Sequence, residues 1–189
     1  MKRRNKIFLV LPIFLLILAS CGAKKKVSHT PSSQTKTSSP QIDKKVSKTK
    51  GNLVNYYADL LGTSNKFLNE DLYYFIDDWM GIPHRLGGQT RDGIDCSAFV
   101  NSIYQSVYRK NLPRTSRDMA EIVKRKYDDQ LQEGDLVFFS FGGKNIDHVG
   151  VYLHNGKFVH VSTKQGVVIS NLKDPWYYKY FTRCGTPNI

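Results

Sequence analysis

The chain has 189 residues, of which 40% are hydrophobic and 12% aromatic, and a formal net charge of +12. That suffices for one hydrophobic core and falls short of two, since domains usually run to ~100–150 residues. Residues 1–50 hold 12 Lys and Arg against a single acid, Asp43, while residues 51–189 hold 16 bases against 15 acids, so the folded part carries only +1 and nucleic-acid binding is disfavoured.

The N-terminus is basic at Lys2, Arg3, Arg4 and Lys6, then apolar for 13 residues from Ile7 to Ala19, broken only by Pro12. A bilayer-spanning helix needs ~20 apolar residues, so this shorter run has the layout of a signal peptide. It ends in Leu18-Ala19-Ser20-Cys21, which resembles the bacterial lipobox. On that resemblance residues 1–20 are a lipoprotein signal peptide, and the mature protein starts at a lipidated Cys21 that anchors it to a membrane. The alternative is ordinary signal cleavage beside a chance cysteine. Residues 22–50 are rich in Ser, Thr, Lys and Gln and poor in large apolar side chains. Such a segment cannot offset the entropy of ordering, so residues 21–50 are read as the lipidated cysteine and a disordered linker. A random coil of that length reaches roughly 30 Å. Lys24, Lys25 and Lys26 either meet anionic headgroups or form a solvated charge run.

Helical spacing covers 53–61 and 67–80, where Leu68, Leu72, Phe75, Ile76 and Trp79 share a face and Gly81 can end the helix. A glycine-rich loop through Gly87, Gly88 and Gly93 follows. Phe99, Val100, Ile103, Tyr104 and Val107 predict a helix over about 96–108, and Thr115-x-x-Asp118 matches a capping box opening a short helix to about Lys126. From Gly134 the pattern turns to short β-branched and aromatic runs at 135–139, 148–153, 158–162 and 166–170. Helices followed by strands predict an α+β domain with helices packed on one antiparallel sheet.

Cys96 lies where the glycine loop enters a helix. Unpaired N–H groups and the positive end of the helix dipole there favour a thiolate. It precedes Phe99 and Val100 by three and four residues, so it faces the same way as the buried stripe. His148 and His160 fall on adjacent strands joined through Asn155-Gly156. A two-residue turn would pair Val151 with His160 and put the histidines on opposite faces. A three-residue loop, with Gly156 left-handed, pairs Gly150 with His160 and groups Val149, Val151, Leu153, Val159 and Val161 on one face. The hydrophobic pattern prefers the second register, which makes His148 and His160 diagonal neighbours ~7–8 Å apart at the backbone. Gly150 between them leaves the space uncrowded. A thiol, a base and an orienting polar group form a set for nucleophilic attack on a carbonyl, with Cys96 as nucleophile, His148 as base and His160 fixing its tautomer.

At Arg85-Leu86-Gly87-Gly88, Gly93-Ile94-Asp95-Cys96-Ser97, Leu112-Pro113-Arg114-Thr115-Ser116, Gly134–Phe139, His148-Val149-Gly150-Val151-Tyr152 and Phe158-Val159-His160 the sequence resembles the NlpC-type family of bacterial cell-wall cysteine peptidases, in particular its small lipoproteins. The resemblance runs over about 81–183. It implies a papain-like α+β fold, a catalytic set of Cys96, His148 and His160, and a peptide cleft lined by Asp95 and Ser97. Where the family usually has a Tyr that donates to the oxyanion, this chain has His84; either it substitutes, or backbone N–H groups including that of Cys96 suffice. The implied substrate is a peptidoglycan stem-peptide or cross-link amide, γ-D-glutamyl–diamino acid or D-alanyl–diamino acid. The implied place is the cell envelope, at the outer membrane in a Gram-negative host.

No metal or other cofactor is expected, since HExxH and paired CxxC motifs are absent. The protein is taken as a monomer. Residues 51–80, ahead of the peptidase domain at 81–189, either cap the cleft or pack on the domain. His29 and His154 are read as inert, Cys184 as a small, partly buried residue, and Trp176, Tyr177 and Tyr178 as packing on the sheet edge or stacking on substrate. Three cysteines allow one disulfide at most. Two other readings keep the fold: a catalytically silent wall-binding adaptor, and an amidase or acyltransferase on another substrate.

Overall fold

The computed structural model describes residues 50–189; the signal peptide, Cys21 and the linker through residue 49 lie outside the described residues. Two helices, α1 (Lys50–Leu61) and α2 (Glu70–Trp79), open this part. Their apolar faces bury Leu53, Val54, Tyr57, Leu61, Leu72, Tyr73 and Ile76 in the same core cluster as the sheet residues Leu136, Phe138, Val149 and Val151. Both helices therefore pack on the domain. The helix expected from Phe67 starts later, because Asn65–Phe67 forms a separate 3-10 turn and Leu68 is extended. Asn69 then stands at the N-cap position of α2 without a side-chain capping bond, and its backbone N–H donates to Glu133 Oε1 at 2.9 Å.

The glycine-rich segment folds into a two-stranded hairpin, β1 (Gln89–Thr90) and β2 (Gly93–Ile94), that delivers the chain to α3 (Cys96–Ile103). The predicted helix over 96–108 continues past α3 as a π turn, Tyr104–Tyr108, and stops at Arg109 in the left-handed conformation. Thr115 caps α4 (Ser116–Glu121) as the sequence predicts, accepting the Asp118 N–H at 3.1 Å. That helix does not reach Lys126. Val123–Arg125 is instead a strand, β3, drawn into the sheet by pairing with the far C-terminus.

The main sheet adds β4 (Leu136–Phe139), β5 (His148–Tyr152), β6 (Lys157–Ser162), β7 (Gly166–Asn171) and, after helix α5 (Pro175–Tyr180), β8 (Phe181–Pro187). Its order is β3-β8-β4-β5-β6-β7, antiparallel throughout. The α+β architecture with helices on an antiparallel sheet is the expected one. One sheet face carries Leu136, Phe138, Val149, Val151, Val159 and Val161 against the helices. The other carries Val137, Phe139, Tyr152, Phe158 and Cys184, packed by Tyr177 and Tyr180 of α5.

The β5–β6 register is the one the hydrophobic pattern selects: Gly150 pairs with His160 and Val151 with Val159. The Leu153 N–H donates to Lys157 O at 2.9 Å across the loop. The turn places Asn155 as well as Gly156 in left-handed backbone. A Cβ on Gly150 would lie 2.8 Å from Val159 O and 3.1 Å from His160 Cβ. The register puts the two histidines on one face, and glycine at 150 keeps a side chain from crowding His160 there.

Candidate active site

Cys96 opens α3, one residue after the N-cap Asp95, whose carboxylate accepts the Ala98 N–H at 2.7 Å. This leaves the first N–H groups of the helix unpaired by backbone carbonyls. Those of Cys96 and Ser97, with the N–H of Val149 on β5, are directed at the Cys96 sulfur. Hydrogen bonding there favours the thiolate, but burial outweighs it and pushes the thiol up to about 11. Helix position and burial therefore act on the Cys96 thiol in opposite directions, and burial is the larger.

His148 is the first residue of β5 and lines the same cleft of about 720 Å³ as Cys96. Its Nε2 lies 2.9 Å from Nδ1 of His160, which leaves Nδ1 as the ring nitrogen available to a thiol proton. Burial pushes His148 down to about 4, against the pull of the Asp147 carboxylate and with a smaller push from His84. His160 is buried and pushed down to about 3, by burial first and by His148 second.

The network continues behind His160, whose Nε2 lies 3.0 Å from Ser170 Oγ and 3.2 Å from the Tyr177 hydroxyl. If His148 is to accept at Nδ1, its Nε2–H donates to His160 Nδ1, and the His160 Nε2–H donates to the two hydroxyl oxygens. Phe158 stacks on the His160 ring at 4.8 Å between centroids, and Phe139 and Phe141 flank His148 at 5.9 and 5.5 Å. These contacts fix both imidazole planes.

Asp95 and Ser97 line the same cleft as Cys96 and His148. Both are also buried and tied to one another and to Arg114. The Arg114 guanidinium donates to Asp95 Oδ2 at 2.6 Å, to Oδ1 at 3.1 Å and to Ser97 Oγ at 2.9 Å, and the Ser97 hydroxyl donates to Asp95 Oδ1 at 3.0 Å. Burial opposes ionisation of Asp95; the Arg114 guanidinium, the Ala98 N–H and the Ser97 hydroxyl together outweigh it and hold the carboxyl below its ordinary value. The ion pair locks the N-cap, and so the direction of Cys96. His84 lines the cleft with Cys96 and His148.

Sequence reasoning did not single out Arg114, Ser170 or the hydrogen-bonding role of Tyr177. Arg114 lies inside a quoted motif, but nothing local to it signals a pair 19 residues away. His154 stands at the β5–β6 hairpin tip, 3.1 Å from Glu133 Oε2, and the Tyr73 hydroxyl donates to the same oxygen at 2.5 Å. Cys184 is buried on the second face, its thiol 3.2 Å from Lys126 O. Among the described residues no group of three or more His, Cys, Asp or Glu side chains could hold a metal, and no helix is long and apolar enough to cross a membrane.

The family model described as NlpC/P60 family matches residues 81–186, more than half of the chain. The chain belongs to the NlpC/P60 family. Among curated relatives, the murein DD-endopeptidase MepS/murein LD-carboxypeptidase of Escherichia coli K12 is 41% identical over 104 residues, 55% of each chain. The probable endopeptidase NlpC of the same organism is 42% identical over 107 residues, 56% of this chain and 70% of that one. The match to the first of these spans only about half of that relative's length. Among solved structures, an NlpC/P60 family protein from Bacillus cereus superposes with a TM-score of 0.58 at 28% identity, over 62% of this chain and 39% of that one. The helix-on-sheet arrangement holding Cys96, His148 and His160 is thus built on an NlpC/P60 fold.

Proposed function

We propose that this NlpC/P60 protein is a membrane-anchored peptidoglycan endopeptidase that hydrolyses a stem-peptide or cross-link amide through Cys96. The observation that carries the reading is a thiol at the start of α3 sharing one cleft with His148, itself 2.9 Å from His160. The curated relatives named as murein DD-endopeptidases favour the D-alanyl–diamino acid cross-link over the γ-D-glutamyl bond.

In the reaction His148 Nδ1 takes the thiol proton as Sγ attacks the carbonyl carbon, so thiolate and imidazolium form together rather than beforehand. His160 Nδ1, as acceptor, stabilises the imidazolium. In this reading the developing oxyanion is received by backbone N–H groups at the α3 start, with His84, which lines the cleft, as a further candidate donor. Collapse of the tetrahedral intermediate breaks the C–N bond, and His148 returns its proton to the departing amine. Water, deprotonated by the same histidine, then hydrolyses the thioester and restores the Cys96 thiol.

Mass spectrometry of muropeptides released from purified sacculi tests the bond. Monomers produced from cross-linked dimers are expected. Intact cross-links with shortened stems would indicate the γ-D-glutamyl bond instead, and no released fragment would refute the endopeptidase reading.

The lipobox-like Leu18-Ala19-Ser20-Cys21 supports an anchor at Cys21 and a location in the cell envelope, which is the outer membrane if the host is Gram-negative. Cys21→Ser is expected to move the protein from the membrane to the soluble fraction. Unchanged membrane association would remove the anchor from the account.

A further inference from the structure

The cleft does not end at His148. Phe141, His148 and Thr163, which line it beside Cys96, also line a second cavity of about 250 Å³ that lacks Cys96 among its walls. Its remaining walls include His160, Trp176 and Tyr177. The Trp176 indole is 58% exposed, yet it is held in place. It lies within 14° of parallel to Phe141 at 6.3 Å and edge-on to Tyr180 at 5.0 Å. No Lys, Arg, Asp or Glu borders this cavity, and the side-chain polar groups that join the imidazoles are the hydroxyls of Ser162, Thr163 and Tyr177 and the Trp176 indole N–H. On the Cys96 side, by contrast, the cleft wall carries Asp95, Arg114 and Asp147.

This asymmetry has a direction set by the chemistry. The acyl half of a substrate becomes bonded to Cys96, while the departing nitrogen must receive its proton from His148. The leaving nitrogen therefore lies at His148 Nδ1 in the cleft, and its residue extends past His148, where Phe141 and Thr163 join the cleft to the second cavity. A volume of about 250 Å³ is below the ~300–1,000 Å³ typical of drug-sized ligands and suits a single residue. Uncharged walls accept a hydrocarbon chain and penalise a desolvated charge, so the charged ends of a leaving residue stay at the mouth.

We propose that the cavity walled by Phe141, Trp176 and Tyr177 is the leaving-group subsite, taking the hydrocarbon chain of the diamino residue whose amine departs. This rests on the endopeptidase reading above. Tyr177 then belongs at once to the subsite wall and to the hydrogen-bond network behind His160, so an occupied subsite presses on the element that orients the base.

The test uses the full chain and two synthetic peptides with the same acyl half, one with diaminopimelate and one with glycine as the leaving residue. The wild type is expected to prefer the diamino peptide in kcat/KM. Trp176→Ala is expected to reduce that preference about tenfold and Trp176→Phe to restore most of it. The alkylation rate of Cys96 by iodoacetamide reports whether the cleft is intact in each variant. If both peptides lose equally in Trp176→Ala while alkylation is unchanged, the cavity is not the subsite. If the wild type turns over neither peptide and releases nothing from sacculi, the endopeptidase reading falls, and the subsite with it.

Discussion

Replacing His148 by alanine is expected to lower kcat/KM by ~10³-fold or more, because it removes both the acceptor of the thiol proton and the donor to the leaving amine. His160 touches neither reacting atom in this account. It accepts the His148 Nε2–H with the two nitrogens 2.9 Å apart, so His160→Ala is expected to cost less than His148→Ala, ~10–100-fold by analogy with the partners that orient metal-ligating histidines. His160→Asn keeps an acceptor oxygen and is expected to recover part of that loss. His160 is buried between Phe158 and Tyr177, so its alanine variant also leaves a cavity. Thermal unfolding of each variant, measured beside its kinetics, separates lost stability from lost chemistry. Equal kinetic losses at His148 and His160, with both variants folded, would contradict the assignment of His148 as the base.

The second large effect concerns the resting state of the thiol. Burial pushes Cys96 up to about 11 and His148 down to about 4. At pH 7 the thiolate fraction is then on the order of 10⁻⁴, whereas a preformed thiolate–imidazolium pair would be almost fully ionised. The sign is the same for both groups: burial penalises whichever form is charged, so the neutral thiol and the neutral imidazole are favoured together. Alkylation of Cys96 by iodoacetamide, followed on its own tryptic peptide to exclude Cys184, is expected to rise steeply with pH through the alkaline range. A rate that is high and flat between pH 5 and 8 would establish the ion pair and overturn the neutral resting state. The contrast in thiolate fraction between the two outcomes is ~10⁴-fold at neutral pH.

The sequence carried the site better than it carried the sheet. Alternating valines at 149, 151, 159 and 161 allow only one β5–β6 register if they are to share a buried face, and that register brings His148 and His160 together. The start of α3 is legible because Asp95 is a good cap and the apolar stripe begins beside it. Strand β8 is different: Thr182-Arg183-Cys184-Gly185 has no clear alternation, and its partners β3 and β4 are distant in the chain. Its place in the interior of the sheet follows from tertiary pairing, and the same pairing converts Val123–Arg125 from the expected helix into a strand. The Arg114–Asp95 pair and the Tyr177–His160 contact also join residues 19 and 17 positions apart, with no periodic signal to mark them. The Cys96 thiol shows the limit most clearly. Helix position is a local property and points to a thiolate, while the opposing burial exists only once α3 lies against β5.

The central claim is that Cys96 is the nucleophile of a wall-peptide hydrolysis, and the direct measurement is release of soluble muropeptides from purified sacculi by the wild-type protein and by Cys96→Ala. The substitution removes one sulfur at the cleft and leaves the Asp95–Arg114 lock intact. The variant is therefore expected to unfold at a temperature close to that of the wild type and to release nothing above the rate without protein. A folded Cys96→Ala protein that digests sacculi as fast as the wild type would contradict the account.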